Sequence, residues 1–379
     1  MLKRLSVAGA FLILGPLLSG QTQDPPSDPV PTASDPDLVD ALLSEFSSRN
    51  EPRTEYGAAD SFLSIHGFLE LVYDDPAGDV SSLDAHHANL LLDIALSPTL
   101  DGRVEFEWEH GAAKTEMDQV YLDWHPWDGD GPSFLAGRFY APFGVERRTW
   151  YPPINPAVSR PLVMTEVVPG SWYETGLMLR QDLTVGGGEA RLEGAVVNGL
   201  GPTLPTGVRG ARQEQDTNAD KALVGRLGWS LPDAGFECGL SAAGGRYDQA
   251  GDQSYSYLGA DASLDLGPVD LTGEWVRSEL DDPAAPGGSR ARHGWYLQAL
   301  APLAAGQDGS RLEALIRADS VEPDDDVVDA SDRDALSLGL RWLPEPHLVL
   351  KLEYQFVSHD QAGAWPNGNT IYLSAVLDF

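Results

Sequence analysis

The chain has 379 residues, with 25 Lys plus Arg against 58 Asp plus Glu and a formal charge of −33 at pH 7. Nucleic acid is excluded as a partner, because a polyphosphate needs a basic footprint that this surface lacks. Hydrophobic residues make up 42%, too many for a disordered chain, yet no apolar run after the N-terminus reaches the roughly 18 residues of a helical membrane span.

Lys3 and Arg4 precede an apolar run from Leu5 to Leu18, followed by the small residues Ser19 and Gly20. This pattern predicts a secretory signal peptide over 1–20. No Cys sits at the cleavage point, so no lipid anchor is expected, and the single Cys238 has no intramolecular disulfide partner. Residues 21–60 are studded with Pro and Asp, including Asp24, Pro25, Pro26, Asp28, Pro29 and Pro31. Such a stretch buries no core and reads as a periplasmic tether. Within it Leu38, Val39, Leu42, Leu43 and Phe46 recur at helical spacing after Asp37, which predicts one short amphipathic helix.

From residue 61 the chain alternates with period two. Val104, Phe106 and Trp108 interleave with Glu105, Glu107 and Glu109; Leu336, Leu338, Leu340 and Trp342 with Ser337, Gly339 and Arg341; Leu350, Leu352 and Tyr354 with Lys351, Glu353 and Gln355. Carboxylates at every second position must face water, because burying an unpaired charge is prohibitive. A one-faced soluble sheet would need a second apolar layer, which the chain does not supply. A closed barrel with lipid outside and water inside needs none and has no open edge. The fold expected for 61–379 is therefore an all-β, closed antiparallel transmembrane barrel.

Strands are predicted at 61–73, 85–97, 102–112, 114–124, 132–140, 172–182, 188–198, 220–231, 234–246, 254–266, 268–280, 291–303, 309–320, 332–343, 346–358 and 368–379, about sixteen in all. Short turns such as 98–101, 186–188, 232–235 and 344–346 alternate with longer loops such as 141–171, 199–219, 281–290 and 359–367. That asymmetry places both termini on the periplasmic side of a bacterial outer membrane. Trp108, Trp124, Trp229, Trp275, Trp295 and Trp342 fall mostly on the outward parity, as in aromatic girdles.

A sixteen-stranded barrel leaves a lumen too wide for wall side chains to close. The loop 141–171 is the candidate plug: it is the longest, and Pro142, Pro152, Pro153, Pro156, Pro161 and Pro169 stiffen it. It also carries Arg147, Arg148 and Arg160 in an otherwise acidic chain.

The stretch Gly137-Arg138-Phe139, Pro142-Phe143-Gly144, Ser159-Arg160-Pro161-Leu162 and Pro169-Gly170-Ser171-Trp172-Tyr173-Glu174-Thr175-Gly176 resembles the phosphate-selective porin O and P family, as do His66-Gly67-Phe68 and the terminal Phe379. The resemblance covers 61 to the end, with its specific part at roughly 134–180. It implies a sixteen-stranded, trimeric porin, with Phe379 similar to the signal read by the barrel-insertion machinery. Members of that family line the lumen with Lys and Arg. Here acids on the lumen parity outnumber bases by about two to one, and 141–171 contains no Lys, so phosphate specificity is not carried over.

The expected function is passive diffusion of small hydrophilic solutes or ions, with mild cation preference. The constriction is expected among Arg138, Arg147, Arg148, Arg160, Arg180, Glu105, Glu107, Glu109, Asp123 and Glu174, where opposed charges set up a transverse field. For most charged pairs a salt bridge between neighbouring strands is the simpler reading. The alternatives are an anion- or phosphate-selective pore and a non-conducting receptor or adhesion barrel. The eight His residues show no motif tying one to a Ser or Asp, so no enzyme activity or cofactor is expected. His86 and His87, as adjacent strand residues, point to opposite faces, so a shared metal is disfavoured. The Asp-rich segment 322–334 does not match the calcium-loop spacing and reads as a solvated loop, at most bridging divalent cations to lipopolysaccharide.

Overall fold

The computed structural model describes residues 62–127, 131–145, 150–213, 215–285, 287–325, 332–359 and 368–379. The signal-peptide and tether readings, with Arg147 and Arg148, lie outside them.

Sixteen strands follow one another: β1 (Leu63–Pro76), β2 (Ser82–Ser97), β3 (Leu100–Glu109), β4 (Lys114–Trp124), β5 (Ser133–Tyr140), β6 (Tyr173–Val185), β7 (Gly188–Val197) and β8 (Ala222–Leu231). The second half comprises β9 (Phe236–Arg246), β10 (Ser254–Asp265), β11 (Asp270–Asp281), β12 (Ser289–Ala305), β13 (Arg311–Glu322), β14 (Arg333–Glu345), β15 (Leu348–His359) and β16 (Thr370–Asp378). Each strand pairs antiparallel with its neighbours in sequence, and β1 pairs with β16, from Phe68 opposite Asp378 to Pro76 opposite Thr370, to close the barrel. One short helix, α1 (Val163–Glu166), interrupts the β5–β6 connection. No helix among the described residues is long and apolar enough to cross a membrane.

Period-two patterning sorts the side chains. Leu69, Leu71, Leu177, Leu223, Leu240, Leu258, Leu297 and Ile316 are exposed on the outer wall, whereas Glu70, Glu193, Arg226, Glu274, Arg317 and Glu353 are buried on the inner one. An apolar exterior around a charged interior is the inverse of a soluble protein and suits hydrocarbon outside. Trp124, Trp275, Trp295 and Trp342 stand on that outer face, where an indole meets both apolar and polar surroundings.

Closure is pinned by Gly67 and Phe379, which exchange N–H···O bonds of 3.0 Å in both directions. A Cβ on Gly67 would lie 2.6 Å from Phe379 Cζ, so the terminal ring needs a glycine beneath it. The β6–β7 hairpin turns through Gly186 and Gly187 at φ 65° and 82°, the two left-handed positions of a type I′ turn.

The inner wall is a ladder of ion pairs between strands. Arg103 is bidentate on Asp93 at 2.6 and 3.0 Å, Arg226 on Asp261 at 3.2 and 2.5 Å, and Arg341 Nη1 reaches Glu313 at 3.0 Å. Arg226 crosses a whole strand to Asp261, and the strand between contributes Gly239, where a Cβ would lie 2.5 Å from Arg226 Cζ. Gly239→Val is therefore expected to dislodge Arg226 and leave a buried charge, costing about 3–5 kcal/mol. The check is the temperature at which the refolded barrel loses its fast-migrating band on gels; an unchanged transition would contradict the role given to Gly239.

Among the irregularities in strand register, two extra residues fall on the wall lined by β1–β4. In β2, Glu70 pairs with His87 and Leu71 with Ala85, so His86 is bulged. In β4, Glu105 pairs with Gln119 and Phe106 with Met117, so Asp118 is bulged. A bulge brings two consecutive side chains to one face. The expectation that His86 and His87 diverge is thereby corrected: their ring centroids lie 4.1 Å apart.

Candidate functional site

The long β5–β6 connection, 141–172, is folded into the barrel as a strap. It leaves β5 toward β9 and β11, where Gly144 N donates to Ser241 Oγ at 2.9 Å and Val145 N to Glu274 Oε2 at 3.3 Å. Gly144 sits at φ 66°, and a Cβ there would collide with the Glu274 carboxylate. After the undescribed 146–149, Tyr151 stands against the opposite side: its hydroxyl donates to Glu105 Oε2 at 2.9 Å, and its ring meets Phe68 edge-on at 5.9 Å. Burial, reinforced by the Glu105 carboxylate, holds the Tyr151 phenol well above its ordinary pKa and keeps it a donor.

The strap then runs along β13–β15. Arg341 Nη2 donates to Pro153 O at 2.8 Å and Lys351 Nζ to Ala157 O at 3.2 Å. The Glu353 carboxylate gathers Val158 N at 2.7 Å, Ser159 N at 2.9 Å and Ser159 Oγ at 2.5 Å. Arg317 donates to Ser159 O at 2.8 Å and Ser159 Oγ at 2.7 Å, and pairs with Asp319 at 2.9 Å. Asp319 in turn accepts Leu162 N at 3.0 Å, at the start of α1. These anchors add to the strap's few internal backbone bonds, such as Ile154 N to Tyr151 O at 2.9 Å, and supply the partners that a buried, proline-rich loop requires.

A second connection, 198–221, also turns inward. Leu200 N donates to Tyr255 Oη at 3.2 Å, and Arg292 Nη2 donates to Leu204 O and Pro205 O at 3.2 and 2.8 Å. Arg212 Nη1 ties it to Ser171 O at 3.0 Å.

The sequence-predicted residues fall into separate groups. Glu105, Glu107 and Glu109 share the inner face of β3. Glu105 is fully buried, accepting from Asn89 at 3.0 Å and Gln119 at 2.7 Å besides Tyr151. Glu107 keeps partial access beside the bulged Asp118, and Glu109 takes Lys114 Nζ at 2.7 Å and Arg209 at 3.6 Å. Asp123 of β4 and Arg180 of β6 meet at 3.6 Å across the intervening β5, with Glu193 of β7 3.7 Å from Arg180. Glu174 is buried, bound by Trp172 Nε1 at 2.8 Å and Gly199 N at 3.0 Å. Arg138 lies over the Tyr173 ring at 3.9 Å, and Arg160 over Trp150 at 3.6 Å, donating to Ser171 Oγ at 2.6 Å. Among the described residues, Glu105, Asp123 and Glu174 serve as buried anchors rather than exposed charges.

Sequence reasoning missed Tyr151, Ser159 and the anchoring role of Arg317, Asp319, Arg341, Lys351 and Glu353. The available signal was chemical: a proline-rich segment inside a barrel needs donors for its carbonyls, and lumen-parity Arg and Lys supply them.

A closed barrel with an apolar exterior, a charged lumen and a strap across it defines the class: an outer-membrane β-barrel porin. The model of a family described as putative β-barrel porin-2, OmpL-like, matches residues 94–378, and the chain belongs to that family. No curated protein matches the chain. Among solved structures, an anion-selective porin from Comamonas acidovorans aligns with TM-score 0.60 at 14% identity, covering 84% of this chain and 99% of that one. OmpF of Salmonella typhi aligns with TM-score 0.59 at 10% identity, over 84% and 97%. OmpT of Vibrio cholerae in its trimer form aligns with TM-score 0.56 at 10% identity, over 84% and 99%. At these identities the likeness is one of fold.

Proposed function

We propose that this porin passes small hydrophilic solutes and ions by diffusion around the 141–172 strap, with a preference for cations and no phosphate specificity. The observation that carries the preference is how the wall charges are spent. The side chains of Arg103, Arg226, Arg317 and Arg341 are 3%, 2%, 1% and 6% exposed and already paired. Some paired carboxylates retain access: Asp93 is 27%, Glu116 20% and Glu237 33% exposed. Of the more open bases, Arg191 is bidentate on Asp182 and Arg311 pairs with Glu313. A cation therefore meets field where a dianion meets few donors, which argues against carrying over the specificity of the phosphate-selective O and P family. The narrow region is assigned to Glu107, Glu109 and Glu116, beside Arg209 of the 198–221 connection, with Arg138, Arg160 and Arg180 as flanking charges.

The acidic 322–334 segment is read as a solvated loop whose Asp325 is engaged by Arg277 at 2.9 Å and His293 at 2.7 Å. The trimer form of the Vibrio neighbour supports a homotrimer. The short turns at one end support periplasmic termini, and outward-facing Phe379 supports recognition by the insertion machinery; 1–20 and 21–60 are assigned as signal peptide and tether. Liposome swelling tests the passive pathway. Swelling in small sugars that falls with solute size is expected; absence of swelling in every solute would favour the non-conducting receptor reading.

A further inference from the structure

We propose that Asp84, His86 and His110 form a binding site for a divalent transition-metal ion at the mouth of the barrel, with Glu70 and His87 as supporting groups. Three separate features of the backbone build it. The bulge at His86 turns its imidazole to the lumen beside His87. Asp84 lies opposite Val72, on the inward parity of β2. The β3–β4 turn is pinned back onto β2 by His110 N donating to His86 O at 3.1 Å and Gly111 N to Ala85 O at 2.9 Å. His110 takes φ 53° within that turn, and its ring comes 5.2 Å from that of His86.

The donors converge on one carboxylate oxygen: Asp84 Oδ2 lies 3.0 Å from His86 Nδ1 and 2.5 Å from His110 Nδ1. The three ligand atoms all lie within 4.8 Å of one another. Metal–nitrogen and metal–oxygen bonds of about 2.1 Å in a tetrahedral site set donors about 3.4 Å apart, so small outward turns of the two rings admit an ion. Two imidazoles and one carboxylate leave a fourth position open. Imidazole nitrogen selects zinc-, copper- or cobalt-class ions over calcium and magnesium, which require oxygen shells.

The support is in place too. His87 Nδ1 sits 2.9 Å from Glu70 Oε2, and Ser374 Oγ donates to Glu70 Oε1 at 2.7 Å. Glu70, His86 and His87 form an overlapping ligand set of their own, and such orienting contacts commonly tune affinity. The His110 side chain is 52% exposed, which gives an ion a route in from solvent. Occupancy would place positive charge beside the acidic face that carries Glu107 and Glu109.

The test is titration of the chelator-treated, refolded full barrel with Co²⁺, followed by its visible absorption, and then competition with Zn²⁺ and Ca²⁺. One equivalent of Co²⁺ is expected to produce the intense bands of a four- or five-coordinate site, displaced by Zn²⁺ but not by Ca²⁺. His86→Ala and His110→Ala should each weaken binding by about ten-fold or more, and His347→Ala, in the β14–β15 turn, should not. His110 lies in an exposed turn, so that variant tests the ligand without touching a strand. Absence of a saturating band, equal displacement by Ca²⁺, or unchanged affinity in His110→Ala would each overturn the site.

Discussion

Removing Glu353 and Arg317 together, as Glu353→Ala with Arg317→Ala, is expected to raise single-channel conductance by about two-fold or more, because these two side chains hold the centre of the strap. Between them they bind the amides of Val158 and Ser159 and both the hydroxyl and carbonyl of Ser159. The double variant is the informative one. Arg317 also pairs with Asp319 at 2.9 Å, so the double variant leaves the Asp319 carboxylate without its cation and costs stability, but it alone releases both groups that grip Ser159. Asp319 would still hold Leu162 N, so the strap is expected to loosen in the middle rather than leave the lumen. Unchanged conductance in a variant that still shows the folded gel band would mean that the strap does not set the flow.

Neutralising the acids of β3 and β4 around Lys114, as Glu107→Gln, Glu109→Gln and Glu116→Gln, is expected to move the reversal potential in a salt gradient toward anions. Glu107 and Glu116 cluster with Asp118, Glu109 lies beside Glu107, and Lys114 bridges Glu109 and Glu116 at 2.7 and 2.9 Å. Removing these acidic groups leaves Lys114 and Arg209 as the local excess, so the direction follows from Coulomb attraction in a confined, partly desolvated space. An unaltered reversal potential would place the selective region elsewhere, in the remaining walls or at the mouth.

The barrel was legible in the sequence because its cause is local. Alternation such as Val104–Glu109 states which side is lipid, and Gly-Gly or Pro-bounded breaks state where the chain turns; most predicted strands meet the observed ends within a few residues. The interior was less legible, because its contacts join positions far apart along the chain. Arg317 and Glu353 read as wall charges, and nothing nearby reveals that Ser159 lies between them. The loop 141–171 stands out in the sequence by its length, prolines and arginines, yet among the described residues its anchors to the wall are Ser159, Tyr151 and backbone amides, while Arg160 binds within the loop to Ser171. Bulges escaped for a different reason. A single extra residue resets the period from that point on, and the stretches around His86 and Asp118 fit either parity about equally well. The adjacent histidines were the only hint that β2 keeps both inside.

The central claim is a water-filled, cation-preferring path past a strap bound to the inner wall. The most direct test is the reversal potential of the wild-type barrel, lacking residues 1–20, in a planar bilayer under a potassium chloride gradient. Discrete conductance steps with a reversal potential displaced toward the potassium equilibrium value are expected. Displacement toward the chloride value would contradict the reading of the lumen charges, and absence of any step would contradict the open path itself.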